Sequence, residues 1–251
     1  YGTETTSSLT YLTAFTSITN RLSEYTEAYE TFNKKMVELS QAYQTEQNKN
    51  KLSSREAKNY LPWTEITKFK PVDTPINNMI YNLYVNLPPR RSDYQSMIIK
   101  YGDPDIVNLD ESYNYYLVDQ HKLIFKRYKT EAIYRIQIIN LNDIDTSYAS
   151  YSLVKQSLIK YIEQAKPKEG DPLIPTKYNK LYTNITPLIK KVFTIGDRHL
   201  TANLLRHSFL SAFLSKARTT EVMNKVAYIM AHSIGMQGKY RKLEQHVVQF
   251  D

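Results

Sequence analysis

The sequence predicts a mainly α-helical protein with a small antiparallel β-sheet, an α+β fold. Long polar segments carry apolar residues at helical spacing over most of the chain. One stretch, residues 113–139, is instead rich in aromatic and β-branched residues with polar breaks, which is typical of short strands. With 251 residues and 41% hydrophobic content, the chain can bury a sizeable core in one large domain or two small ones.

The amino-terminal part predicts two helices, over Leu9–Leu22 and Thr26–Lys49, each with one apolar face. The following stretch, Asn48–Trp63, loses this periodicity, is rich in Lys and Arg, and reaches a helix-breaking proline at its end. It is therefore interpreted as a linker or weak helix. We place a domain boundary near Asn59, with residues 1–59 a helical segment plus linker and residues 60–251 a second domain.

The second domain is predicted to begin with a helix over Thr74–Leu87, because Thr-Pro is a helix start and Pro88 follows its end. A second short helix is expected around Asp93–Ile99, ahead of the sheet. The remaining chain is predicted helical on both sides of the loop Lys166–Pro175. Those helices are Ser150–Gln164, Lys177–Phe193 with a restart at Pro187, Ala202–Ala217 and Thr220–Met230.

Charge favours an anionic partner. Lys and Arg outnumber Asp and Glu by 33 to 25, a net charge of +8, which suits nucleic acid or an anionic membrane surface. Neither a membrane-spanning run nor a secretory signal is recognisable, so we expect an intracellular protein that is not secreted and has no membrane partner. The absence of cysteine excludes disulfides, thiolate zinc sites and cysteine nucleophiles. The five histidines are scattered, so we expect neither a metal nor another cofactor.

Several cations stand where a phosphodiester can be held. Arg90 is followed three residues later by Asp93, a carboxylate that can orient the guanidinium, although an ordinary ion pair in a solvated turn fits as well. Lys129 lies between two predicted strands. Arg206 sits in a strongly apolar helix and must find a buried partner or face a cleft. His207 beside it is expected to be packed and hydrogen-bonded.

The stretch MAHSIGMQGKYRK adds His232 and, eight residues later, Tyr240. A histidine that donates to a phosphate and a phenol that attacks one would explain the pair. The surface end of a helix would explain it equally well.

These residues, in the order Arg, Lys, Arg, His, Tyr, resemble the tyrosine recombinase or phage-type integrase family over most of residues 60–251. The matching stretches are LYVNLPPRRSDYQSM, YKT, LLRHSF and MAHS with its following tyrosine. The PPRRxDY style and the Tyr-rich composition also resemble integrase-like proteins of large DNA viruses and related mobile elements. The resemblance implies a recombinase-like catalytic domain preceded by a helical DNA-clamping segment.

The resemblance also implies residue roles. Arg90, Arg206 and His232 would stabilise the transition state, Lys129 would protonate the leaving hydroxyl, and Tyr240 would be the nucleophile. Asp93 and His207 would position these catalytic residues without contacting the DNA themselves.

Two features depart from the family pattern. Asn203 stands where the family has a histidine three residues before the arginine, and asparagine can hydrogen-bond a phosphate oxygen but cannot shuttle a proton. The interval from His232 to Tyr240 is one residue shorter than is common.

The expected function is site-specific DNA cleavage and rejoining through a 3′-phosphotyrosyl intermediate, without metal. One alternative is a type IB topoisomerase-like relaxation of DNA. The other is a catalytically inactive DNA-binding or virion protein, and Asn203 is the residue that favours this second alternative. The partner would be double-stranded DNA, with phosphate contacts from basic residues of the linker and sheet: Lys49, Lys51, Arg55, Lys58, Lys122, Lys126 and Arg127. The carboxyl-terminal tail, Leu243–Asp251, would either join protomers as a dimer or tetramer on DNA or pack on its own domain. The short amino-terminal segment and the initial Tyr1 suggest a missing upstream part.

Overall fold

Helices and one small sheet make up the described residues, 2–48 and 52–240, in the computed structural model of the protein. The predicted α+β fold class is therefore confirmed. The described residues fall into two units, one running to Ala57 and the other starting at Lys58. None of the helices in these ranges is long and apolar enough to cross a membrane.

The first unit is built from two long helices, α1 (Gly2–Thr19) and α2 (Thr26–Asn48), joined through a short 3₁₀ turn. They pack against each other, with the rings of Phe15 and Phe32 stacked at 5.5 Å between centroids. The range of α2 agrees with the sequence prediction to within one residue, whereas α1 begins seven residues before the predicted start at Leu9 and ends three residues before Leu22. The predicted linker or weak helix contains the short helix α3 (Ser54–Asn59).

The second unit opens with α4 (Trp63–Lys68) and α5 (Pro75–Val85). The start of α5 agrees with the sequence prediction. Thr74 caps the helix, because its hydroxyl accepts a hydrogen bond from the Asn77 amide at 3.3 Å. One face of α5 enters the core through Ile80, Leu83 and Tyr84. The helix ends before the two prolines, which leads the chain into the turn that carries Arg90.

The main sheet contains β1 (Met97–Lys100), β2 (Asn114–Leu117), β3 (Lys122–Phe125) and β4 (Gln137–Asn140), in that order. The pairs β2–β3 and β3–β4 are antiparallel, as predicted. The short helix predicted around Asp93–Ile99 is wrong beyond Ser96, where a 3₁₀ turn gives way to β1. Met97 and Ile99 are buried on alternate positions, the period of a strand, and β1 pairs in parallel with β2.

After the sheet follow α6 (Glu131–Tyr134), which lies within the β3–β4 connection, and then α7 (Tyr151–Ala165) and α8 (Thr186–Val192). The helix predicted over Lys177–Phe193 forms only in α8. Residues 177–185 are irregular because Asn179 takes a left-handed conformation (φ 54°) in a turn closed by the Thr176 amide donating to the Lys180 carbonyl at 2.9 Å.

The described part of the chain, which reaches Tyr240, finishes with a two-stranded hairpin and three helices. The hairpin, β5 (Thr194–Ile195) and β6 (Arg198–His199), was not predicted. It is followed by α9 (Ala202–Phe213), α10 (Thr220–Ile229) and α11 (Ile234–Tyr240). The main core joins α5, α7 and the sheet, and a second cluster of apolar side chains joins α9 to α10. The junction of these two clusters positions the candidate site.

Candidate active site

Arg90 is fully buried in the turn after α5. Its Nε donates to Asp93 Oδ2 at 2.8 Å, and its guanidinium carbon lies 3.8 Å from the centroid of the Phe125 ring. The sheet therefore supplies an aromatic floor while the neighbouring carboxylate fixes one edge of the guanidinium. Nη2 has no hydrogen-bond partner among the described residues, so this edge remains a donor to a bound anion.

Arg206 is also fully buried, in the middle of α9. Its Nη1 donates to the carbonyls of Pro89 at 2.8 Å and Met230 at 3.1 Å, and its Nη2 donates to His232 Nδ1 at 3.0 Å. The sequence required a buried partner or a cleft for this cation, and the structure supplies the buried partners. Because Pro89 immediately precedes Arg90, the two arginine segments are directly joined.

The end of α10 turns the chain toward His232. The His232 amide donates to the Ala227 carbonyl and the Ala231 amide to the Tyr228 carbonyl, each at 3.1 Å. Ala231 has a φ of 53°, so this is a Schellman helix end with a left-handed residue after the cap. This local geometry fixes the backbone of the histidine segment beside the arginines.

Four consecutive carbonyls at this helix end accept side-chain donors from distant parts of the chain. The carboxyl end of a helix carries partial negative charge, which favours cations at this point. The bonds are Gln137 Nε2 to Tyr228 at 2.7 Å, Arg90 Nη1 to Ile229 at 2.6 Å, Arg206 Nη1 to Met230 at 3.1 Å and Thr130 Oγ1 to Ala231 at 3.0 Å. The end of α10 therefore holds both arginines.

His232 is a neutral hydrogen-bond donor in this site. Since a guanidinium can only donate, Nδ1 of His232 must accept from Arg206, and the proton of the neutral ring lies on Nε2. Burial, reinforced by the positive charges of Arg206, Arg91 and Arg90, lowers the pKa of His232 to about 3. Three arginines acting on one imidazole also indicate a strongly positive potential, which favours an anion.

This buried neutral histidine predicts a pH dependence of folding. The unfolded chain binds a proton at His232 near pH 6.5 and the folded chain only near pH 3, so its contribution to stability is complete above 6.5 and declines as the pH falls. Between pH 7 and pH 5 we expect a loss of roughly 2 kcal/mol of unfolding free energy from this group. Urea unfolding of the parent chain and of His232→Gln at both pH values measures it. An equal loss in both chains would contradict the assignment.

Lys129 lies exposed in the β3–β4 connection. The next residue, Thr130, bonds the Ala231 carbonyl, which ties this connection to the histidine segment. Lys129 lines a cleft of about 530 Å³ that Arg91, Asp93 and Arg127 also line. The structure thus brings the predicted lysine to the same cleft as the carboxylate that holds Arg90.

The other predicted site residues lie on α9 and α11. Asn203 is exposed in the first turn of α9, one turn before Arg206, and His207 is buried in the same helix. Tyr240 is the last residue of α11, and its side chain lies outside the described part of the structure. Buried Gln237 ties α11 to α10, because its Nε2 donates to the Met223 carbonyl at 2.9 Å.

One predicted phosphate contact is wrong. Lys126 is buried, and its ammonium donates to the carbonyls of Ile106, Val107 and Leu109, so it closes a 3₁₀ turn and does not reach the surface.

The remaining basic candidates differ in their surroundings. Lys58 and Arg127 are exposed, and Lys122 is half-buried with its ammonium 2.8 Å from Gln120 Oε1. Lys49, Lys51, the side chain of Arg55 and the tail after residue 240 lie outside the described residues.

Sequence reasoning missed two buried amides. Gln137 links Arg90 to α10, and Asn114 holds the backbone on both sides of the cleft. Each opens a strand and is followed by at least two apolar or aromatic residues, and a polar residue buried there needs a partner. That pattern was the signal available in the sequence. Among the described residues, no group of three or more His, Asp or Glu side chains is placed to hold a metal ion.

Of three comparisons with known proteins, the one with solved structures gives a match. No model of a protein family matches the chain, and no curated protein matches it. Among solved structures, the chain is similar to the crystal structure of XerA recombinase, with a TM-score of 0.45 and 15% sequence identity over 78% of this chain. The match covers 59% of the XerA chain, which is less than two thirds of its length.

Proposed function

We propose that the protein cleaves and rejoins DNA strands as a tyrosine recombinase, through a covalent 3′-phosphotyrosyl intermediate. The observation that carries the proposal is the pair of buried guanidiniums, Arg90 and Arg206, held by the carboxyl end of α10 beside a neutral imidazole. Of the acceptors named above, Asp93 is charged, and the others are neutral carbonyl, amide and imidazole atoms. Such a site suits a phosphodiester, whose oxygens can accept from Arg90 Nη2 and from His232 Nε2.

In this reaction the Tyr240 phenol gives up its proton to solvent, and its oxygen forms a bond to phosphorus while the bond from phosphorus to the 5′ oxygen breaks. The leaving 5′ oxygen takes a proton from Lys129, and the 3′ phosphoryl group stays on the tyrosine. Attack by a 5′ hydroxyl on the phosphotyrosine reverses these steps and restores the phosphodiester. The two arginines and His232 stabilise the charge on the non-bridging oxygens throughout. Asn203 adds a hydrogen bond to the phosphate without taking part in proton transfer.

Double-stranded DNA is the proposed partner. The cleft beside Lys129 and Arg127 would contact the backbone near the reacting phosphate, and Lys58 with the basic residues before it would extend that contact along the duplex. Residues 1–59 act in this proposal as part of a helical clamp, and residues 60–251 as the catalytic domain. The tail after Tyr240 would join protomers on the DNA.

Covalent trapping tests the proposal. The protein is incubated with nicked suicide duplexes in the presence of a chelator, and adducts are resolved on denaturing gels beside Tyr240→Phe, which keeps the ring and removes the nucleophile. We expect an adduct with the parent chain and none with the variant. Relaxation of supercoils without strand exchange would instead identify a topoisomerase-like activity. Salt-sensitive DNA binding with no adduct on any duplex would contradict the enzymatic proposal and leave an inactive DNA-binding protein.

A further inference from the structure

We infer that Gln137 is a positioning residue for the reaction, because it sets the orientation of Arg90 at the scissile phosphate; this inference rests on the proposed function. Gln137 is fully buried at the first position of the edge strand β4. Its Oε1 accepts from Arg90 Nη1 at 2.9 Å, and its Nε2 donates to the Tyr228 carbonyl at 2.7 Å. A single side chain thus connects the catalytic arginine to the end of α10.

The two contacts fix which way the amide points. Arg90 can only donate and a carbonyl can only accept, so the Gln137 oxygen must face Arg90 and its NH₂ group must face Tyr228. The glutamine amide supplies both an acceptor and a donor at these positions without a charge. A glutamate would keep the contact to Arg90 but place a carboxylate oxygen against the Tyr228 carbonyl.

The strand pairing explains why position 137 carries this role. Gln137 is the cross-strand neighbour of Phe125, whose ring lies under the Arg90 guanidinium. The β3–β4 pair therefore offers Arg90 a flat aromatic surface from one strand and an amide oxygen from the next. The adjacent residue, Ile138, donates its backbone amide to the Tyr228 hydroxyl at 2.9 Å, which fastens β4 to α10 a second time.

The arrangement leaves one edge of the guanidinium for the ligand. Nη1 is shared between Gln137 Oε1 and the Ile229 carbonyl, and Nε is held by Asp93. With these two nitrogens fixed, rotation about the Cζ–Nε bond is blocked and Nη2 keeps one direction. Loss of Gln137 removes one of the two acceptors of Nη1, so the guanidinium turns more freely.

Nuclear magnetic resonance of arginine-labelled protein measures the rotation of the Arg90 guanidinium. The measurement does not depend on whether the protein cleaves DNA. In the parent chain we expect separate Nη1 and Nη2 signals for Arg90, assigned by their absence in Arg90→Lys. In Gln137→Met, which keeps length and apolar bulk, the two signals are expected to merge. The matched control is Gln237→Met, which removes a buried amide from the same domain without touching Arg90 and leaves the signals separate. Unmerged signals in folded Gln137→Met would overturn the inference.

Adduct formation gives the second readout. Gln137→Met is expected to lower the single-turnover rate of adduct formation about 10-fold to 100-fold, with the Kd for uncleaved duplex unchanged, because orientation affects the transition state more than the ground state. Gln137→Glu should keep the Arg90 signals separate yet also lower the rate, since a second carboxylate beside Asp93 offsets the arginine charge. An unchanged rate in both variants would refute the role. If the parent chain forms no adduct, the proposed function fails and the resonance experiment alone decides the positioning of Arg90.

Discussion

Arg90→Lys is expected to lower the rate of covalent adduct formation by about 10²-fold to 10³-fold, the cost of removing a preorganised donor to a developing oxyanion. An ammonium presents its donors from one atom and cannot reach Asp93, Gln137 and the Ile229 carbonyl while also contacting a phosphate oxygen. Single-turnover trapping on a suicide duplex measures the rate, and the thermal unfolding midpoint shows that the variant remains folded.

The matched control for this substitution is Arg198→Lys in β6. Arg198 also donates to a backbone carbonyl, that of Tyr60, at 2.7 Å, but lies in the β5–β6 hairpin. We expect Arg198→Lys to leave the adduct rate within about 2-fold of the parent, the range of an ordinary surface change. If both variants lose activity equally, the loss reflects general destabilisation and the role given to Arg90 is refuted.

Asn114→Leu is expected to reduce the unfolding free energy by about 3–5 kcal/mol, because it leaves several buried backbone groups without a hydrogen-bond partner. The Asn114 amide nitrogen donates to the carbonyls of Asp93 and Arg127, at 2.7 and 2.8 Å. Its oxygen accepts the backbone amides of Lys126 and Arg127, at 2.9 and 2.8 Å. Leucine has the same branched shape and the same number of side-chain heavy atoms, so the main effect is the loss of these hydrogen bonds. Urea denaturation followed by circular dichroism measures the change.

Asn142→Ala serves as the comparison for Asn114→Leu. Asn142 donates to the Gln120 carbonyl at 3.0 Å and accepts from Lys155 at 2.7 Å, yet it is exposed, so water replaces its partners. Its loss is expected to cost no more than about 0.5–1 kcal/mol. Equal losses at the two positions would mean that burial does not set the cost and would contradict the structural role of Asn114.

The sequence predicted those features that depend on neighbouring residues. The start of α5 followed from Thr74 and Pro75, whose capping chemistry is complete within one turn. The proximity of Asp93 to Arg90 followed from a spacing of three residues. The alternative that this was an ordinary solvated ion pair is excluded by the burial of both residues.

Features that depend on distant residues were not predictable from local pattern. The parallel pairing of β1 with β2 needs a partner strand that begins well after β1 ends, so the stretch around Asp93–Ile99, which contains most of β1, was predicted to be a short helix. Lys126 and Lys129 stand three residues apart in the same basic stretch, yet one is buried under carbonyls and the other lines the cleft. The difference arises from the course of the backbone around Ile106–Asn108, which brings carbonyl groups to the Lys126 ammonium.

The convergence on the end of α10 has a consequence for how the protein is made. The hydrogen bond from Arg90 to Ile229 joins residues 139 positions apart, and the one from Arg206 to Pro89 joins residues 117 apart. Closing such long loops costs entropy that is recovered only when the intervening elements have packed. During synthesis the two arginines therefore lack the Ile229 and Met230 carbonyls as acceptors until α10 has emerged. A nascent chain that stops short of α10 would therefore leave both guanidiniums without part of the acceptor set that fixes their orientation.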